Sequence, residues 1–169
     1  MKPVLFLTLL SSFSASITSV LAGPVATSPE KRQVECPEVD QIADYLAGKW
    51  TTEQKQQIVF YTGGAGSDAV KLARVLGGKT YLDLQSDPKY STWMRGCSLL
   101  GRSQDLAINA STALARIADE TALVVVEDHP NPESYWFVYE KPELVNRNIH
   151  IVRVFPKEGQ SPGDWRMEG

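Results

Sequence analysis

The stretch IVFYTGGAGSDAVKLARVLGGKTYLDLQ, Ile58 to Gln85, decides the fold class. It opens on a β-branched and aromatic run, Gln57 to Tyr61 (QIVFY), which has the composition of a buried strand. A glycine-rich turn follows, Thr62-Gly63-Gly64-Ala65-Gly66. From Ser67 to Leu76, the residues Ala69, Leu72, Ala73 and Leu76 recur at helical spacing, with Ser67 placed to cap the helix and Gly77 to stop it. Lys79 to Leu84 reads as a second short strand. Glycines between a strand and a helix let the backbone approach a ligand closely, and the helix N-terminus offers free N–H groups to an anion. Gly64 to Ala69 matches G-x-G-x-x-A, and Asp83 stands nineteen residues after Gly64, as in a dinucleotide site. The same glycines would equally serve a tight turn that binds nothing.

Outward from this unit the chain alternates in the same manner. Pro37 opens a helix through Leu46, with Val39, Ile42, Ala43 and Leu46 on one face. A short helix after Pro88 carries Tyr90, Trp93 and Cys97. A longer one, Ser103 to Glu120, lines up Leu106, Ala110, Ala113, Leu114 and Ile117. Ala122 to Glu127 (ALVVVE) is an unbroken apolar run, as expected of a central parallel strand covered on both faces. Tyr135 to Tyr139 and Ile149 to Phe155 read as two more strands, and the tail from Lys157 as loose. The fold class expected is α/β, with a small, mostly parallel sheet of about four to five strands flanked by helices.

The N-terminus reads as a leader. Lys2, the apolar run Val4 to Leu10 and the small-residue site Val20-Leu21-Ala22 make residues 1–22 a signal peptide. Residues 23–32 form a short pro-segment ending in Lys31-Arg32, a dibasic pair like the processing sites of secreted fungal proteins. A single α/β domain then occupies residues 33–169. It holds 137 residues with 14 basic and 19 acidic side chains, net −5. That charge excludes a basic nucleic-acid surface, and the apolar leader is too short to span a membrane. In a secreted chain Cys36 and Cys97 are expected to pair in a disulfide, and Asn109-Ala110-Ser111 is a glycosylation sequon. Two cysteines are too few for a zinc cluster, and His129 and His150 are too isolated to propose as ligands, so no metal is expected. A complete dinucleotide dehydrogenase needs more chain than this, and Asp68 would oppose a pyrophosphate at the helix N-terminus.

The second informative segment is SYWFVYEKPEL, Ser134 to Leu144. Glu140 would end an aromatic strand, where α/β proteins place ligands and where burial perturbs protonation. The order IVFYTG, helix, GKTYLDL, then NASTALARIA, LVVVE, SYWFVYEKPEL and IHIVRVF resembles the ADP-ribosyl cyclase/NAD glycohydrolase family. The divergent bacterial contact-dependent toxin domains with that fold are similar in the same way. The resemblance covers roughly residues 57–155. It implies that Glu140 is the catalytic glutamate that holds the ribose hydroxyls while nicotinamide leaves. It also implies that Tyr61 stacks on substrate, that Asp83 lies near the nicotinamide, and that Ser111 lies near the ribose or phosphates. Where animal members carry a helix tryptophan this chain has Ala107, so stacking would fall to Trp93 or Trp136. The Gly63–Gly66 turn would take the phosphates, with Thr62, Gly63 and Gly64 as substrate-binding residues.

The activity implied is cleavage of the nicotinamide–ribose bond of NAD to nicotinamide and ADP-ribose, with cyclisation as a side activity and NAD as substrate rather than cofactor. A toxin or virulence role, acting on a host or restrained by an inhibitor protein, would suit secretion. Two alternatives stand beside it: a non-catalytic secreted effector that keeps the fold, and a small NAD-binding oxidoreductase.

Overall fold

The computed structural model describes residues 36–169; the expected signal peptide, pro-segment and cleavage points lie outside the described residues. Four strands form one open mixed sheet in the order β1-β2-β3-β4. β1 (Val59–Tyr61), β2 (Thr121–Val125) and β3 (His150–Phe155) run parallel. β4 (Arg166–Glu168) pairs antiparallel with β3, Val154 opposite Met167. The expectation of a mostly parallel sheet is therefore corrected to a mixed one. The antiparallel edge comes from the C-terminal segment expected to be loose, which Trp165, only 6% exposed, anchors in the core.

Seven α-helices are described: α1 (Val39–Lys49), α2 (Thr52–Gln56), α3 (Gly66–Leu76), α4 (Tyr81–Gln85), α5 (Pro88–Leu99), α6 (Ser103–Ile117) and α7 (Lys141–Asn146). Period-2 alternation divides them between the two faces of the sheet. Val59, Leu123, Val125 and Val154 point toward Ala69, Leu72 and Ala73 of α3. Phe60, Ala122 and Val124 point the other way, into the larger core built with α1, α5 and α6. The alanines of α6 (Ala110, Ala113) leave room for Ile42 and Leu46 of α1, which are fully buried. Cys36 and Cys97 are bonded, tying the chain just before α1 to α5 across 61 residues.

Three further elements differ from the sequence expectation. Lys79–Leu84 is not a strand: a single bridge joins Ile58 to Lys79, and α4 follows at once. Thr80 and Asp83 cap α4 reciprocally, Thr80 N donating to Asp83 Oδ2 at 2.8 Å and Asp83 N donating to Thr80 Oγ1 at 3.3 Å. Ser67 is not the cap of α3, which begins one residue earlier after Ala65, whereas Gly77 ends it in the left-handed region at φ 74°. Tyr135–Tyr139 is not a strand either. Trp136–Glu140 forms a π-helical turn that runs into α7, with Lys141 N donating to Trp136 O. Such turns are rare and frequently mark functional positions.

Candidate active site

The π-helical turn carries Trp136 and Glu140, four residues apart, inward onto the sheet face that holds Phe60. The two rings, Phe60 and Trp136, lie 5.7 Å apart. A cavity of about 400 Å³ opens beside them at β1. Tyr61 and Gly63 from the end of β1 line it, with Ser111 from α6, Tyr81 and Gln85 from α4, and Trp136 and Glu140 from the π-helical turn. Five of the residues singled out from sequence (Tyr61, Gly63, Ser111, Trp136 and Glu140) thus share one pocket, though Glu140 sits on a helical turn rather than at a strand end.

Glu140 is 5% exposed, and burial pushes its carboxyl up to about 8. A hydrogen bond with the Ser111 hydroxyl, itself 1% exposed, works the other way by favouring the charged form. Tyr61 is pushed up to about 12, first by burial and then by the negative charge of Glu140. Tyr81 is raised as well, by burial and by its 2.8 Å hydrogen bond to Tyr90. Five aromatic rings and two carboxyls, those of Glu140 and Glu133, surround the space, and none of its lining residues is a lysine or arginine. That arrangement suits a flat cationic group. Ser134 Oγ, on the same wall, is buried without a hydrogen-bond partner. An orphaned hydroxyl at a cavity wall is a place for a ligand's polar group.

The glycine-rich turn holds an anion of its own. Gly64 N donates to Glu127 Oε2 at 3.0 Å. Gly63 has φ +39°, and a Cβ added there would meet Glu127 Oε1 at 2.0 Å. The glycines therefore let a carboxylate from the segment after β2 settle onto the turn. Thr62, fully buried, serves the same junction, its Oγ1 accepting from Glu127 N at 3.1 Å. A phosphate could take the Gly64 amide only by displacing Glu127. With Asp83 spent on the α4 cap and no strand after α3, the dinucleotide pattern read from Gly64 to Asp83 lacks its structural context.

Other expected residues fall elsewhere. Asp83 and Gly64 are not among the lining of the Glu140 cavity. Trp93 is a core residue, edge-on to Tyr45 at 5.2 Å, so of the two tryptophans considered for stacking only Trp136 faces the cavity. Asn109 lies on the opposite side of α6 from Ser111. Its Nδ2 donates to Pro37 O at 3.0 Å, so the sequon amide is engaged in holding the start of α1. Tyr81, Gln85 and Ser134 escaped the sequence reading. The T-x-x-D spacing of Thr80 and Asp83, a helix-start signal, would have brought Tyr81 and Gln85 onto one turn.

Among the described residues no group of three His, Cys, Asp or Glu side chains could hold a metal ion, and no helix is long and apolar enough to cross a membrane. Comparison of the chain with protein-family models, curated proteins and solved structures yields no match.

Proposed function

We propose that the protein is a secreted NAD glycohydrolase of the ADP-ribosyl cyclase type, cleaving the bond between nicotinamide and ribose. The observation that carries this reading is a buried carboxyl, Glu140, held by Ser111 inside an aromatic cavity that contains no cation. Loss of nicotinamide leaves positive charge on the ribose. Nicotinamide is already a good leaving group and needs no acid to protonate it. A single carboxylate facing the developing oxocarbenium lowers the barrier electrostatically, most strongly where water is excluded. Glycosidases that expel an alkoxide need a second carboxyl beside the bond, and this chemistry does not.

In this mechanism Trp136 and Tyr61 flank the planar base, Glu140 faces the ribose and Ser111 fixes the carboxyl. Glu140 is mostly protonated at neutral pH in the free protein, since burial raises it to about 8. A pyridinium cation entering the pocket favours the ionised form, so substrate binding itself releases the proton. The Cys36–Cys97 disulfide supports an oxidising, extracellular setting.

The test is nicotinamide release from NAD by the purified protein. Turnover is expected, with kcat/KM rising with pH through about 8 as free Glu140 ionises. Glu140→Gln should lose at least about a hundredfold, the scale of an electrostatic stabilising group. Absence of turnover, or an unchanged rate in Glu140→Gln, refutes the reading. The oxidoreductase alternative would leave nicotinamide attached, and the Glu127 carboxylate on the glycine turn speaks against it.

A further inference from the structure

The cavity beside β1 accounts for the cationic end of such a substrate but not for its diphosphate. No lysine or arginine lines it, Glu133 and Glu140 would repel phosphate, and the amide of Gly64 is taken by Glu127. The anionic half must seat elsewhere.

Trp136 is a wall shared by two cavities. On its far side, a second space of about 310 Å³ lies along the same sheet face, over β2 and β3. Val124 and Ile151 form its floor, Phe137 one side, and Lys141 and Arg153 supply its charge. The placement follows from period and sequence. Ile151 packs into the larger core, and Arg153, two residues on, projects from the same face of β3. Lys141 directly follows Glu140, its Nζ lying 5.8 Å from the centre of the Phe137 ring. Among the described residues no carboxylate lies within ion-pair distance of Lys141. Arg153 has one partner, Glu168, at 3.7 Å with both side chains largely exposed, a pairing weak enough to yield to a ligand. Strands in a sheet stand about 4.8 Å apart, so β3 lies roughly 10 Å from β1. Cationic and acidic subsites are thus offset across the sheet, from its β1 edge to β3, with an indole between them.

We propose that this second cavity seats the diphosphate of the substrate, with Lys141 and Arg153 binding the phosphates while the pyridinium lies against Tyr61 and Glu140 across Trp136. The ligand so recognised is a nucleoside diphosphate sugar whose far end is a cationic ring. The identity of that ring rests on the glycohydrolase reading; the phosphate seat does not. A size near 300 Å³ is at the lower bound for small-ligand sites, enough for a diphosphate with part of a nucleoside.

The experiment is calorimetric titration of the purified protein with ADP-ribose, which has the diphosphate and no pyridinium. The proteins compared are wild type, Lys141→Gln, Arg153→Gln, the double variant, Lys141→Arg, and Arg95→Gln as a cation outside both cavities. Melting curves would confirm that each is folded. Each Gln variant should weaken ADP-ribose roughly five- to tenfold and the double variant more, as expected for partly exposed charge-assisted contacts. Lys141→Arg and Arg95→Gln should bind as wild type does, and added salt should weaken wild type more than the double variant. Binding of ADP-ribose unchanged in the double variant, or undetectable in wild type, overturns the proposal. If binding depends on the two cations but NAD is never cleaved, the glycohydrolase reading falls and the phosphate seat stands. If NAD is cleaved with the same KM in the double variant, the reverse holds.

Discussion

Glu140 should make the folded protein less stable than a neutral residue would, and increasingly so as pH rises. Its carboxyl moves from an ordinary 4.5 to about 8 on folding. A raised folded value means that the fold favours the protonated form. The contribution is full below about 4.5 and is lost as pH climbs through 8. At pH 7 the folded carboxyl stays neutral while the unfolded one is ionised. The 2.5 units between 4.5 and 7, at about 1.4 kcal/mol each, cost about 3.5 kcal/mol. Glu140→Gln keeps the shape and is neutral at every pH. It should raise stability by up to about 3.5 kcal/mol at pH 7, less whatever the amide gives up against Ser111, or roughly 10 °C in melting temperature for a domain of this size. The assay is urea unfolding of both proteins at pH 5, 7 and 8.5. The two should lie close together at pH 5 and diverge steadily toward pH 8.5. A gap that is constant with pH, or a variant that is weaker throughout, would refute the assignment of a strained, buried carboxyl. A protein that becomes more stable on losing one carboxylate is keeping that carboxylate for something other than folding.

Two other perturbations probe the frame. Reducing the Cys36–Cys97 bond, or replacing both cysteines by Ser, should lower stability by about 4 kcal/mol on the chain-entropy scale for a loop of this length, seen as a large fall in melting temperature with reductant; a shift under about 1 kcal/mol would mean that α1 is held by packing alone. Gly63→Ala should destabilise by about 1–3 kcal/mol, because the backbone is left-handed and the new methyl would strike Glu127, while Gly48→Ala in α1, with nothing near its added Cβ, should be neutral or stabilising by up to about 1 kcal/mol. Equal effects at the two glycines in urea unfolding would contradict the Glu127 contact.

Where local periodicity and packing agreed, the sequence was readable. The β-branched runs of β1, β2 and β3 fall where composition placed them, α3 ends at Gly77, and the two cysteines pair. Four candidate side chains (Tyr61, Ser111, Trp136 and Glu140) reach one cavity, although they lie on three elements 79 residues apart at the extremes. The misreadings have physical causes. Trp136 to Glu140 has the β-forming composition of a strand, but its buried positions are Trp136, Glu140 and Leu144, a spacing of four that belongs to a helix. Thr80 and Asp83 carry a helix-cap signal within a run of strand-like composition, and that cap puts Tyr81 and Gln85 on a helix. The C-terminal segment has the Gly and Pro of a loose tail, yet one tryptophan, Trp165, is enough to bring it onto the sheet edge.

The π-helical turn has a consequence for what sequence change the site can absorb. Trp136 and Glu140 are held inward by a ring closed from Lys141 N to Trp136 O, one residue wider than an ordinary helical turn. Removing one residue between them would tighten the ring and swing the carboxyl by about 100° around the axis, away from Ser111. Point substitution at the outward Val138, 46% exposed, leaves that geometry alone. Between Trp136 and Glu140, then, the site depends on the number of residues more than on their kind: a deletion within the turn is a knockout even when every lining side chain survives.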